Sequence, residues 1–343
     1  VTTVLFVRLS AMGDLVHGLG AVAALHAVRP EWRLVFATQA EFAPLLRSLP
    51  GIAAVVGFDR AGGLPALLAL RRALRREACD VALDLQGNWK SALVAFLSAA
   101  RRCIGMAARW RQASASRLLL HETIDAEGTP HPARAAWELV RRLAPEAPFL
   151  RPELRATPDE LAAEAAALRS LGIDVGRPFT VVVVTDRRDP RALSPAMVAA
   201  LCDPANGPAV AVYGPAEVGL PPVESVPCLR HGLGEVRRLI ALGSLVAAAG
   251  GSVVGPDQGA THVLAAAGAR CRVVFGAQDP RRTAPVAAEA LVHPEPPACA
   301  PCRRRSCRHP AGAVCMEFPL AAARVVQVEL PPAGPSFVSR PGA

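Results

Sequence analysis

The sequence predicts an α/β fold built from two doubly wound domains, and three observations carry that reading. Short β-branched apolar runs alternate with helical, alanine- and leucine-rich stretches. The alternation starts afresh after a proline-rich interval near residue 150. The length of 343 residues exceeds one ordinary core but suits two domains of roughly 150 to 170 residues. Composition agrees: the chain is 52% hydrophobic but only 4% aromatic, which suits α/β layers better than a β-sandwich or a disordered chain.

Val4 to Arg8 reads as a buried strand, Leu15 to Val28 as a helix that stops before Pro30, and Arg33 to Ala37 as a second strand, so the chain opens with a βαβ unit. A short strand at Val55 to Phe58, a helix at Leu64 to Arg76, a strand at Asp80 to Leu85 and a helix at Trp89 to Ala99 follow. A helix at Arg134 to Leu143 closes the first half, and the prolines of "APEAPFLRPELRATPDE" mark the linker. The domains are therefore placed at 1–150 and 151–343. The second half runs from a helix at Glu160 to Leu171 into the buried strand "FTVVVV" (179–184), a helix at Pro195 to Leu201 and the strand "AVAVYG" (209–214). Arg237 to Leu242 is helical, Ser252 to Val254 a short strand, Thr261 to Ala267 a helix closed by Gly268, and Cys271 to Phe275 the last strand. The tail "PPAGPSFVSRPGA" (331–343) reads as loose. Both halves are Rossmann-like in pattern and are expected to face each other across a cleft, with ligands beyond the carboxyl ends of the strands.

The formal net charge of +9 suits an anionic partner. Lys90 is the only lysine, and an arginine-, alanine- and proline-rich chain also fits a coding bias, so charge alone does not choose the partner. Few aromatic residues and no recognisable nucleic-acid module argue against nucleic acid. No apolar run approaches the roughly 18 residues of a membrane span, and no signal-peptide layout opens the chain. A cytoplasmic location with reduced cysteines is expected.

Two turns concentrate the candidate chemistry. "RLSAMGDLVHGLG" (8–20) ends a strand and starts a helix, so Ser10 to Asp14 sit at a sheet edge and a helix N-terminus. Asp14 either caps that helix or stands ready as a base. A dinucleotide fingerprint at "GLGAVA" (18–23) is rejected, because the turn is already made at Gly13 and the second strand lacks the acidic ribose-binding residue. In the second half, "GPDQGATHVLAAAG" (255–268) offers Asp257 as a cap and the amides of Gln258, Gly259 and Ala260 to an anion.

These segments resemble glycosyltransferase family 9, the ADP-heptose:lipopolysaccharide heptosyltransferases. The ordered set is "SAMGDLVH" (10–17), "CDVALDLQGNWKSAL" (79–93), "HPARAAWELV" (131–140), "VYGPAE" (212–217), "PDQGATHVLAAAGARCRVVFGAQDP" (256–280) and "CAPCRRRSCRHPAGAVCM" (299–316). The resemblance implies a GT-B fold and inverting transfer with Asp14 as general base. It implies a donor site with Ser10, Gly13, Asp257, Gln258, Gly259, Ala260 and His262. On the acceptor side it implies Asp84, Gln86, Gly87, Lys90 and Ser91, with His17 one turn beyond Asp14. Asp84 and Gln86 are read equally well as loop ties, and His17 as a core residue. Arg101, Arg102, Arg109 and Arg111 suit a phosphorylated lipid head group or a solvated basic face. The implied partners are an ADP-sugar, a lipopolysaccharide-core or related anionic acceptor, and the inner face of the inner membrane; catalysis is expected to need no cofactor.

The sequence departs from the family pattern in three places. After the first strand of the second half, relatives carry a "PGAS"-like loop and a lysine, where this chain reads "TDRRDPRALSP" (185–195) with Arg191 as the nearest stand-in. Gly20 replaces a frequent proline, at an expected cost of about 1 kcal/mol relative to alanine in a helix interior. Cys299, Cys302, Cys307 and Cys315 could hold a structural zinc or iron, remain free thiols or pair as disulfides. The departures leave open a same-fold transferase with another donor or a protein acceptor, and a catalytically silent basic binding protein.

Overall fold

The first apolar run forms strand β1 (Thr3–Val7), all five residues of which are buried, as a parallel strand covered on both faces requires. The computed structural model describes residues 1–47, 49–223 and 226–334. Its contacts define two units: Val1–Pro152 together with the chain from Leu330 on, and Glu153–Glu329. The second unit thus stops short of the expected 343, because the chain returns to the first, where the Gly334 amide donates to the Phe149 carbonyl at 2.8 Å. Most of the tail expected to be loose, 335–343, lies outside the described residues.

In the first unit β1 is followed by α1 (Met12–Val28), β2 (Arg33–Gln39), α2 (Ala43–Leu46), β3 (Ile52–Phe58), α3 (Gly63–Arg76) and β4 (Val81–Asp84). Then come α4 (Trp89–Leu97), β5 (Arg102–Met106), β6 (Glu122–Ile124) and α5 (Pro132–Arg141). The sheet order is β3-β2-β1-β4-β5-β6, all parallel. Twelve residues of α1 are buried, so it is an interior helix, packed on α5. Gly20 also lets the chain after α5 pass close to α1: a Cβ there would stand 2.1 Å from the Leu150 carbonyl oxygen. The expected gain from alanine is therefore reversed by a close backbone approach that only glycine permits.

The second unit contains α6 (Pro158–Ser170), β7 (Thr180–Val184), α7 (Pro195–Leu201), β8 (Ala209–Tyr213), β9 (Cys228–Arg230) and α8 (Val236–Ala248). It continues with β10 (Ser252–Pro256), α9 (Gly259–Ala266), β11 (Cys271–Phe275), α10 (Pro280–Thr283), β12 (Glu289–Val292) and β13 (Arg324–Val326). The order is β13-β12-β11-β10-β7-β8-β9, parallel except for the edge pair β12–β13. Cys271 to Phe275 is therefore not the last strand. The two that follow it have four and three residues, too short to show a strand period. Inside this unit Glu164 on α6 is fully buried and takes His231 Nε2 at 3.0 Å and Arg238 Nε at 2.7 Å, which ties α6 to α8.

Candidate active site

In each sheet the chain leaves the central strand first to one side and later to the other. The switch point lies at β1/β4 in the first unit and at β7/β10 in the second. Loops at the carboxyl ends of such strands are where an α/β sheet leaves room for a ligand.

In the first unit the turn after β1 is held from behind. Arg8 is almost fully buried and donates from Nη1 to the Leu85 carbonyl at 2.6 Å and from Nε to the Ser10 carbonyl at 3.1 Å. Its remaining Nη2 forms an ion pair with Asp14. Gln86 makes a second tie: its Oε1 accepts from the Leu9 amide at 2.9 Å and its Nε2 donates to Ser10 Oγ at 3.3 Å. The loops after β1 and β4 are thereby locked together, and Asp14 is presented at the edge with 27% of its side chain exposed. Asp14 is not the cap of α1. That position belongs to Ala11, which makes no side-chain capping bond, while Asp14 lies in the first turn, where the helix dipole favours an anion.

The other residues expected near the acceptor divide into ties and surface groups. Asp84 is buried; its Oδ1 accepts from the amides of Gln86 and Gly87 at 3.1 and 3.0 Å, and its Oδ2 meets Arg111 Nη2 at 2.8 Å. Gly87 has φ +74°, a left-handed turn that favours glycine, and its carbonyl accepts from Gln112 and Ala113. Ser91 is buried in a capping box with Asn88. Asp84 and Ser91 therefore act as ties of the loop. Lys90 is exposed on α4. His17 does not reach outward either: it is buried with its ring edge-to-face against His131, centroids 4.7 Å apart. Of the four arginines suited to a head group, Arg111 is buried on Asp84, Arg102 pairs with Glu122 and Arg109 with Asp125, leaving Arg101 exposed.

In the second unit the corresponding edge gathers loops from β7, β8 and β10. Arg191 donates to both oxygens of Asp189, at 2.9 and 2.6 Å, and from Nη1 to the Asp257 carbonyl at 2.9 Å. Burial works against ionisation of Asp189, but the Arg191 side chain and amide outweigh it and hold the carboxyl below its ordinary range. The cap of α9 is Gln258, without a side-chain bond, and not Asp257 as expected. The Asp257 carboxylate instead takes His262 Nε2 at 3.0 Å and the Thr283 hydroxyl at 2.9 Å. Gly259 and Ala260 begin α9, whose first-turn amides have no intrahelical acceptor. Ser10 and Gly13, expected with the donor, belong to the turn of the first unit.

Sequence reasoning missed Glu217. It is buried in the loop after β8, and Gly214 lies between its carboxylate and Ala260: a Cβ on Gly214 would meet Glu217 Oε2 at 3.2 Å and Ala260 Cβ at 3.3 Å. Burial, joined by the charge of Asp189, pushes its carboxyl above the ordinary value. A carboxylate three residues beyond a strand-ending glycine was the available signal. Among the described residues no group of three or more histidine, cysteine, aspartate or glutamate side chains is arranged to hold a metal ion, while Cys299, Cys302 and Cys307 lie near enough to Cys315 to act on its thiol. All nine cysteines are free; Cys299 and Cys307 are exposed, Cys302 is half-buried, and burial together with the neighbouring thiols pushes buried Cys315 up to about 11.

Residues 67–192 and 230–311 match glycosyltransferase family 9 (heptosyltransferase); the segment bearing Asp14 precedes the matched region. No curated protein sequence matches the chain. Among solved structures, a family 9 glycosyl transferase from Veillonella parvula is similar with TM-score 0.72 and 14% identity, over 84% of each chain. Escherichia coli ADP-heptose LPS heptosyltransferase II gives TM-score 0.65 and 18% identity, over 85% of this chain and 91% of that one. Escherichia coli heptosyltransferase WaaC, solved with ADP-2-deoxy-2-fluoro heptose, gives TM-score 0.63 and 20% identity, over 81% and 90%. These neighbours have the GT-B fold, with two Rossmann-like domains, and so has this chain.

Proposed function

Because the chain belongs to glycosyltransferase family 9, we propose that it is an inverting transferase that moves heptose from ADP-heptose to a hydroxyl of the lipopolysaccharide inner core, working at the inner face of the inner membrane. The observation that carries this reading is the seat of Asp14: a carboxylate at a switch-point edge, part-exposed and aimed by the buried Arg8. Such a group accepts the proton of an acceptor hydroxyl as its oxygen bonds to the anomeric carbon. The bond from that carbon to the diphosphate breaks, and ADP leaves with the electron pair on the opposite face. Arg8 acts through Asp14 and is a positioning residue. The leaving diphosphate is assigned to the first-turn amides of α9, where helix-terminal N–H groups stabilise developing negative charge. His262 and Thr283 fix Asp257 behind them. Two neighbours bind the same ligand class: the WaaC structures hold ADP-2-deoxy-2-fluoro heptose or ADP.

Calorimetric titration with ADP-heptose, with UDP-glucose as control, tests the donor. Saturable binding of the ADP-sugar alone is expected, and its absence overturns the assignment. One observation favours a second reading, transfer from a different donor. Arg191, the stand-in for the family lysine, is already bidentate on Asp189 and bonded to the Asp257 carbonyl, so only one N–H on each of Nη1 and Nη2 is left for a phosphate, and its charge is already matched by a carboxylate. Binding of another nucleotide-sugar in place of ADP-heptose would support that reading.

A further inference from the structure

Among the described residues of the first unit, every large hydrophobic side chain that is exposed, apart from that of Val1, lies on three neighbouring segments. They are Leu64 and Leu68 on α3, Trp89, Leu93 and Phe96 on α4, and Leu118 in the turn 114–119. α4 packs against both α3 and that turn. Positions 89, 93 and 96 follow helical spacing, so α4 presents one apolar ridge outward while Ala92, Val94 and Ala95 face the core. On α3 the outward row runs Leu64, Leu68, Arg71, Arg75, whereas Leu70 and Leu74 point inward. A grouped apolar surface of this kind marks an interaction site rather than the scatter normal on a monomer.

The charge around the ridge indicates what covers it. Arg71, Arg72, Arg75 and Arg76 on α3, Lys90 on α4 and Arg117 are exposed, and among the described residues none of them has a carboxylate within ion-pair distance. Elsewhere in the unit Arg33, Arg102, Arg109 and Arg142 are exposed and paired with Glu77, Glu122 or Asp125, and the exposed arginines without an ion pair, Arg47, Arg60, Arg101 and Arg151, are scattered along the sequence rather than grouped on one helix. Cations without local counterions beside an outward tryptophan and phenylalanine match the interface of an anionic bilayer, where head groups meet the charges and the acyl boundary takes the rings.

We infer that the α3–α4 face of the first unit is a membrane-docking surface for anionic phospholipid. The inference rests on the functional reading only in that a lipid-linked acceptor gives the docking its use. α4 starts just beyond Gln86, which is tied to the Asp14 turn, so docking brings that turn close to the lipid surface. None of the described helices is long and apolar enough to cross a membrane.

The test is co-sedimentation of the full chain with phosphatidylcholine vesicles, with and without phosphatidylglycerol, at low and high salt. The wild-type protein should bind the anionic vesicles and be released by salt. The double variant Leu93→Glu/Phe96→Glu and the triple variant Arg72→Glu/Arg75→Glu/Arg76→Glu should each bind at least about tenfold more weakly. Because all five side chains are exposed, both variants should melt like the wild type. Quenching by brominated lipid that disappears in Trp89→Phe would place α4 at the interface without a charged substitution. Binding that ignores lipid charge, or variants that bind like the wild type, overturns the proposal. So does a dimer that Leu93→Glu/Phe96→Glu dissolves, or retention of an oligonucleotide in place of vesicles. The same preparations titrated with ADP-heptose keep the two readings apart: vesicle binding without donor binding sinks the functional reading alone, and donor binding without vesicle binding sinks this one alone.

Discussion

Replacing Asp14 by alanine removes a reacting group and half of an ion pair, and the structure sets the size of each loss. The Arg8 side chain is 5% exposed and that of Asp14 27%, between the regime in which breaking a buried pair costs about 3–5 kcal/mol and that in which an exposed pair contributes about 0–1 kcal/mol. Arg8 keeps its bonds to the Leu85 and Ser10 carbonyls, so its charge is not left bare. Asp14→Ala should therefore cost about 1–3 kcal/mol and lower the melting temperature by about 2–10 °C. The chemical loss is larger, because a positioned general base contributes about 100- to 10,000-fold. ADP release in the presence of acceptor should fall at least about 100-fold, while calorimetric titration finds donor affinity unchanged. Asp14→Asn separates the two effects: the amide oxygen still accepts from Arg8, so scanning calorimetry should recover most of the stability, whereas turnover stays low. If Asp14→Asn turned over like the wild type, the carboxylate would not be the base, and its pairing with Arg8 would be purely structural.

Three further outcomes follow from the packing. Gly20→Ala should destabilise the first unit by about 1–3 kcal/mol in urea titration, since its Cβ has only 2.1 Å to the Leu150 oxygen; a neutral or stabilising effect would mean that the backbone there yields freely. Asp84→Ala should cost about 3–5 kcal/mol by leaving Arg111 buried and unpaired, and an unchanged denaturation midpoint would contradict the fully buried pair. Glu217 titrates above its ordinary value of 4.5 in the folded chain, so on raising the pH the unfolded state loses this proton first and stability falls across the interval up to the raised value. Glu217→Gln should remove that fall and be the more stable protein at neutral pH; melting curves at acid and neutral pH that shift in parallel for the two proteins would refute it.

Legibility of the chain followed the range of the interactions involved. Runs such as 4–7 and 181–183 are continuous, apolar and buried, and the runs alone reveal their strands. β5 and β12 begin with the charged Arg102 and Glu289, and β5 is broken by Gly105; a neighbouring strand supplies the ladder, which no local pattern encodes. The position of Asp14 was readable from the turn that carries it. Its partner was not, because Arg8 reaches Asp14 only after Leu85 and Ser10 have fixed the guanidinium from behind. The same holds for Asp257, read as a cap but engaged by Thr283 across 26 residues of sequence. Propensity gave the wrong sign for Gly20, since the atom that forbids a methyl group there belongs to Leu150.

The return of the chain to the first unit after Glu329 bears on the order of synthesis. The first sheet leaves the ribosome early, but the stretch whose Gly334 amide donates to the Phe149 carbonyl emerges only after the whole second unit. At about 5–20 residues per second the interval is roughly 10–40 s. The unit that is begun first is therefore finished last, and a stalled or prematurely terminated chain would carry a second unit near completion beside a first one lacking its closing segment.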